Sequence, residues 1–111
     1  MHKYGCLEQI KIYLNQYNDN FDILDNIISN NSDGGIYTNR YNYGNVIENL
    51  IINNGSFGGV FLGGCSNPTL IDLSIIGNTS TDNGGGIHST ASNPTLINVS
   101  VIGNTATNDG G

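Results

Sequence analysis

The sequence predicts an all-β protein that folds as a parallel β-helix solenoid of about four rungs, each of 24 to 26 residues. A short signature, Ile or Val followed two residues later by a small polar residue and then Asn, recurs four times. The copies end at Asn30, Asn54, Asn78 and Asn104, which lie 24, 24 and 26 residues apart, and a Gly-Gly pair follows each copy. This spacing is typical of one turn of a stacked solenoid.

The two C-terminal copies define the strands, because residues 66–74 (SNPTLIDLS) return as residues 92–100 (SNPTLINVS). Short apolar runs alternate with small polar residues and are bounded by Asn-Pro and Gly-Gly, a pattern that indicates strands and turns rather than helices. Pro68 and Pro94 begin their strands, where a missing N–H is tolerated. We therefore expect three short strands per rung, with successive rungs about 4.8 Å apart.

Apolar residues at equivalent positions are expected to form columns through the core, since no rung can bury its apolar face alone. The predicted inward residues are Ile27, Ile51, Ile75 and Val101 of the signature, and Ile36, Val60 and Ile87 after the Gly pairs. Residues 21–111 carry the repeats. Residues 1–20 fit them poorly and are predicted to form an irregular or partial first rung, with a helical cap as the alternative.

Two polar columns are expected beside this core. Stacked Asn side chains can donate to and accept from their neighbours, so the four signature residues Asn30, Asn54, Asn78 and Asn104 are predicted to form a structural ladder. If the first two rungs lack one residue before the signature, a second column consists of Asp25, Asn49, Asp72 and Asn98. Alternating Asp with Asn would keep like charges apart.

An aromatic column is the candidate binding site. Tyr37, Phe61 and His88 each follow the inward residue of a Gly-Gly strand and are therefore predicted to face solvent. A row of exposed rings can pack against sugars, which makes a glycan or a host or cell-surface ligand the expected partner. The alternative is cross-strand pairing that only stabilises the sheet.

Composition argues against several other functions. Three basic against nine acidic residues give a net charge of −6, which would repel the phosphate backbone of a nucleic acid. The sequence has no run of about 20 apolar residues, which membrane insertion of a helix would need, and no export signal is visible. Cys6 and Cys65 lie in dissimilar contexts and are not expected to pair, and His2 and His88 lack further zinc ligands. We expect no metal and no cofactor.

The paired signatures Gly-Gly-x-[Ile/Val] and [Ile/Val]-x-x-Asn resemble the repeats of the polymorphic outer membrane proteins, over residues 21–111. This resemblance implies a right-handed β-helix, a bacterial source and a structural or adhesive role in a larger cell-surface or secreted protein, as part of an outer membrane passenger. Neighbouring rungs of the same longer chain would then be partners too. The chain departs from the family in having Ile or Val where the family has Phe.

Catalysis is the runner-up, because polysaccharide lyases and hydrolases also use the β-helix. Asp25 and Asp72 would lie two rungs apart, about 9.6 Å from the rung spacing, near the separation of carboxylates in inverting hydrolases. No general acid in an apolar pocket can be identified, so no catalytic residue is predicted. Residues 108–111 match residues 82–85, so the chain is expected to be a piece of a longer array that stops within a repeat.

Overall fold

The computed structural model describes residues 3–4, 12–14, 18–39, 42–64 and 66–111. Its strands are β1 (Lys3–Tyr4), β2 (Ile12–Leu14), β3 (Asn18–Leu24), β4 (Ile27–Ser29), β5 (Ile36–Thr38), β6 (Asn42–Ile47), β7 (Leu50–Ile52), β8 (Val60–Leu62), β9 (Thr69–Ile76), β10 (Thr79–Ser80), β11 (Ile87–Ser89), β12 (Thr95–Ile102) and β13 (Thr105–Ala106).

These strands stack in parallel into a solenoid with three walls. The first wall joins β1, β3, β6, β9 and β12, with β4 and β7 beside the second half of β9. The second wall joins β2, β5, β8 and β11. The third wall joins β10 and β13. Four strands stack along the second wall, so the described chain makes about three complete turns. The predicted all-β parallel solenoid is confirmed, with slightly fewer turns than expected.

The core lies between the walls and consists of aliphatic columns. Ile36, Val60, Ile51 and Ile75 are fully buried, in agreement with the sequence pattern, and Ile87 is half-buried. Val101 is 45% exposed because β12 is the last strand of its wall among the described residues. The prediction for Ile27 was wrong: it is 43% exposed, and its neighbour Ile28 is buried in its place.

Two corners of each rung are made by single residues with a positive φ angle, and the first of them bends the first wall within β9 and β12. The first corner column is Asp25, Glu48, Asp72 and Asn98, and the second is Asn30, Asn53, Gly77 and Gly103, all with φ between 53° and 64°. The two corners are five residues apart in every rung. The segment between the two corners therefore has the same length in all four of these rungs. The one-residue gap expected in the first two rungs is absent.

The described parts of residues 1–20 continue the solenoid. Lys3–Tyr4 pairs in parallel with Asp22–Ile23, and Ile12–Leu14 pairs with Ile36–Thr38. Most of the predicted first rung, together with Cys6 and Cys65, lies outside the described residues. Within the described ranges, no helix has the length and apolar character needed to cross a membrane.

One core position carries a polar atom with no partner. Thr38 is fully buried, and its Oγ1 makes no hydrogen bond. The same inward column contains Leu62, which is also fully buried. A hydroxyl at this position is desolvated without compensation, which costs free energy of folding.

Candidate functional site

The aromatic column forms on the outer face of the second wall. Tyr37 of β5, Phe61 of β8 and His88 of β11 are directly in register. Their neighbours Ile36 and Val60 point into the core, so the alternation of the strand turns the aromatic side chains outward. All three rings are half-buried rather than fully exposed.

The rings contact one another along the solenoid axis. Tyr37 and Phe61 are stacked with centroids 4.7 Å apart and planes at 5°, while His88 meets Phe61 at 4.9 Å and 74°. Phe57, which the sequence analysis did not single out, adds edge contacts to Tyr37 at 5.2 Å and to Phe61 at 6.1 Å. Among the side chains that the structure describes, the site is therefore a cluster of four rings, called here the aromatic cluster.

Gly34 makes room for Phe57. Its φ angle of 111° is one that residues with a side chain rarely adopt, and a Cβ at this position would lie 2.5 Å from the Phe57 ring. The Gly-Gly pair thus serves the packing of the ring from the next rung. This is the signal in the sequence that could have revealed Phe57, since a glycine often marks a close approach.

The geometry of the cluster favours the stabilising interpretation over sugar binding. Phe61 lies between Tyr37 and His88, so its ring is in contact on both sides along the axis. A sugar packs best on an open aromatic face, whereas the Phe61 ring is in contact with other rings on both sides. Ring pairs of this kind each stabilise a fold by about 0.5–1.5 kcal/mol beyond their burial.

The Asn ladder runs along the inside of the second corner. Asn54 donates from its backbone N and Nδ2 to Oδ1 of Asn78, at 2.9 and 3.0 Å, and Asn78 donates in the same way to Asn104, at 2.8 and 2.9 Å. Each Nδ2 also donates to a backbone carbonyl of the preceding rung: the acceptors for Asn54, Asn78 and Asn104 are the carbonyls of Ile28, Ile51 and Ile75, respectively. The ladder therefore joins every rung to its neighbours.

Asn30 does not belong to this ladder, contrary to the prediction. Asn31 takes the position instead and donates from N and Nδ2 to Oδ1 of Asn54, at 3.1 and 2.9 Å. Asn30 is exposed and has a φ of 58°, so it occupies the corner position one residue earlier. The same one-residue error explains why Ile27 was assigned to the core.

Comparison with known proteins identifies the fold family. The family described as "right handed beta helix region" matches residues 7–111, which is nearly the whole chain. The chain belongs to the right-handed β-helix family. No curated protein and no solved structure gives a match to it.

The acidic residues of this β-helix are arranged differently from the prediction. Asn49 is not in line with Asp25 and Asp72; that position is held by Glu48. Asn49 is buried one residue later, where its Oδ1 accepts from N and Nδ2 of Asn26, at 2.9 and 3.0 Å. Three carboxylates therefore follow one another on consecutive rungs, instead of alternating with Asn.

These three residues, Asp25, Glu48 and Asp72, are called the acidic column. All three are exposed on the first corner of the β-helix, and Asp72 accepts a 2.6 Å hydrogen bond from Nδ2 of Asn98 on the next rung. Glu48 was not expected here, because the one-residue gap placed in the first two rungs put Asn49 in this column and because glutamate is an unusual residue at positive φ.

The described part of the β-helix contains no cluster of three or more His, Cys, Asp or Glu residues that could hold a metal ion. His88 is engaged with the Phe61 ring. The two turns with Asp and Gly, at residues 33–35 and 82–85, use their polar atoms within the fold: Asp82 accepts from Nδ2 of Asn108 at 2.7 Å, and Asn83 accepts from the backbone N of Asp109 at 3.2 Å. Asp33 also has a partner.

Proposed function

We propose that this β-helix is a non-catalytic structural segment of a larger bacterial cell-surface or secreted protein. The observation that carries the proposal is the use of the repeated polar and aromatic side chains in contacts between rungs. The Asn ladder and the aromatic cluster both hold neighbouring rungs together. Such a segment would act as a rigid spacer or display stalk.

The surface location rests on the resemblance of the Gly-Gly-x-[Ile/Val] and [Ile/Val]-x-x-Asn signatures to those of the polymorphic outer membrane proteins. An antiserum against the chain, applied to intact and to permeabilised cells of the source organism, tests it. We expect labelling of intact cells or recovery of the protein from the medium. Labelling that appears only after permeabilisation would contradict a surface or secreted location.

The structural role is tested by titrating the chain with a panel of soluble glycans and following the aromatic proton resonances. We expect no saturable shift, because the Phe61 ring is in contact with Tyr37 on one side and with His88 on the other. A matched comparison uses Tyr37→Ala, which alters the aromatic cluster, and Asn45→Ala, which alters an exposed site on another wall. Glycan binding that Tyr37→Ala abolishes and Asn45→Ala retains would establish an adhesive role instead.

A polysaccharide-active enzyme is the second candidate, and the acidic column is the observation that favours it. Carboxylates on adjacent rungs are about 4.8 Å apart by the rung spacing, close to the separation of roughly 5–5.5 Å found in retaining glycosidases. Against this, all three side chains are exposed, whereas a general acid needs an apolar surrounding that raises its pKa.

The enzymatic alternative is tested by incubating the chain with pectin-like polymers and measuring new reducing ends and unsaturated products. Glu48→Gln, which removes the central carboxylate, is the matched variant. Turnover by the wild-type chain that Glu48→Gln eliminates would support an enzyme. If the β-helix is a structural segment, we expect no turnover from the wild-type chain or from Glu48→Gln.

A further inference from the structure

The outer surface on both sides of the acidic column is unusually rich in aliphatic side chains. The parallel register places nine of them in three outward columns, which together are called the aliphatic face. The columns are Leu24, Ile47, Ile71 and Ile97; Ile27 and Leu50; and Ile52, Ile76 and Ile102.

These side chains point outward because their neighbours along each strand point inward. Val46 and Leu70, which precede Ile47 and Ile71, are fully buried. Ile27 is 43% exposed, and six of the others are half-buried. Ile97 and Ile102 are 50% and 59% exposed, in part because they lie on β12, the last strand of its wall among the described residues. A contiguous apolar surface with a polar border is typical of an interaction site rather than of a solvated wall.

The acidic column runs through the aliphatic face. Leu24 directly precedes Asp25, and its column flanks all three carboxylates on one side. On the other side Ile27 and Leu50 follow Asp25 and Glu48 by two residues, whereas Ser74 holds this position after Asp72. Neighbouring carboxylates repel by roughly 1 kcal/mol in water at such spacings, so the column favours a cation.

Charge selects the occupant of this surface. A second copy of the chain would bring two acidic columns and two net charges of −6 together, which is unfavourable. We propose that the aliphatic face and the acidic column together bind a basic polypeptide segment in which Lys or Arg side chains are interspersed with aliphatic ones. The inference needs only the observed surface and does not depend on the proposed structural role.

The test uses a short fluorescent peptide of alternating leucine and lysine, with anisotropy measured at an ionic strength of about 0.15 M. One companion peptide has serine in place of leucine, and another has glutamate in place of lysine. We expect saturable binding of the leucine-lysine peptide, binding of the serine-lysine peptide weaker by about tenfold, and no binding of the glutamate peptide. Equal binding of the two lysine peptides would overturn the role of the aliphatic face.

Neutralising the acidic column with D25N/E48Q/D72N should weaken binding of the leucine-lysine peptide by about tenfold. Asn is well suited to positive φ, so the two Asp→Asn changes should leave the corner intact. Circular dichroism of the variant checks this. If the triple variant does not fold, Glu48→Gln alone serves the same purpose and should weaken binding by about twofold.

The matched control is D33N/D82N/D109N, which removes three exposed carboxylates from turns outside the column and gives the same net charge. It should change binding by less than about twofold. An equal loss of peptide affinity in the two triple variants would show that binding depends only on the overall charge of the chain and would overturn the proposal. Absence of peptide binding, or formation of a dimer through this face, would overturn it as well.

Discussion

Replacement of Asn78 by Ala should be among the most destabilising single changes in this chain. The Asn78 side chain is fully buried at the centre of the ladder. Its Oδ1 accepts from the backbone N and Nδ2 of Asn54, and its Nδ2 donates to the carbonyl of Ile51 and to Oδ1 of Asn104. Alanine removes all four of these hydrogen bonds at once.

The size of the effect follows from those four bonds. Each buried hydrogen bond contributes about 0.5–1.5 kcal/mol net, so their loss should lower the free energy of unfolding by roughly 2–6 kcal/mol. A domain of this size is stable by only about 5–15 kcal/mol. The variant should therefore lose a large part of its stability, and its urea midpoint should fall by roughly 1–3 M.

The assay is urea unfolding followed by circular dichroism, with Asn45→Ala as the matched control. Asn45 also bonds to another side chain across rungs, donating from Nδ2 to Oδ1 of Asp22 at 3.1 Å, but this contact is exposed. Its loss should cost no more than about 0.5 kcal/mol. The same substitution thus compares a buried ladder position with a surface position.

A second variant separates the donors of Asn78 from its acceptor. Asn78→Asp keeps an oxygen for Asn54 but, when ionised, has no proton for Ile51 or Asn104, and it places a charge in the core. It should be at least as destabilising as Asn78→Ala. The reasoning would be refuted if Asn78→Ala and Asn45→Ala shifted the midpoint equally, or if Asn78→Asp were as stable as the wild-type chain.

Three further predictions concern stability and use the same urea assay. Thr38→Val should raise the free energy of unfolding by about 1–3 kcal/mol, because it replaces an unpaired buried hydroxyl by a methyl group; no gain would show that the hydroxyl is satisfied. Glu48→Asn should add about 1 kcal/mol, because Asn tolerates the φ of 56° better than Glu, and a loss would argue against that corner conformation. Asn31→Ala should cost about 0.5–1.5 kcal/mol while Asn30→Gly is nearly neutral, and the reverse order would restore the ladder position predicted from the sequence.

The fold could be predicted from the sequence because each rung repeats the same pattern of apolar, glycine and asparagine residues. The near-identical segments 66–74 and 92–100 pair in register over β9 and β12, as their offset of 26 residues requires. Glycine pairs and the Asn-Pro steps mark the turns between strands. A period of this length leaves few alternatives to a solenoid, since only stacking buries the apolar columns.

The register of the first rung could not be predicted as easily, because Asn suits two positions there. Asn30-Asn31 and Asn53-Asn54 are doublets in which one Asn makes the corner at positive φ and the next joins the ladder. In the later rungs Gly77 and Gly103 hold the corner position, and only their Asn neighbours are in the ladder. The glycines at the corner in the later rungs thus indicate that, in each Asn-Asn doublet, the second Asn is the ladder residue.

The candidate site was predicted only in part. The alternation of the strands placed Tyr37, Phe61 and His88 together correctly, but the orientation of their rings depends on packing that a sequence pattern does not encode. Phe57 reaches the cluster from a turn, where alternation gives no guidance. The acidic column was not predicted, because the one-residue gap expected in the first two rungs put Asn49 in the position that Glu48 holds.

The Asn ladder also gives the solenoid a chemical direction. The hydrogen bonds between ladder side chains all run from the Nδ2 of one Asn to the Oδ1 of the Asn on the next rung toward the C-terminus, while Nδ2 also donates to a backbone carbonyl of the preceding rung. Amides hydrogen-bonded in series polarise one another, much as the peptide units of a helix add up to a macrodipole. A completed rung is therefore a template that presents oriented hydrogen-bonding groups to the next one, so growth of the stack is cooperative and its two ends are chemically different.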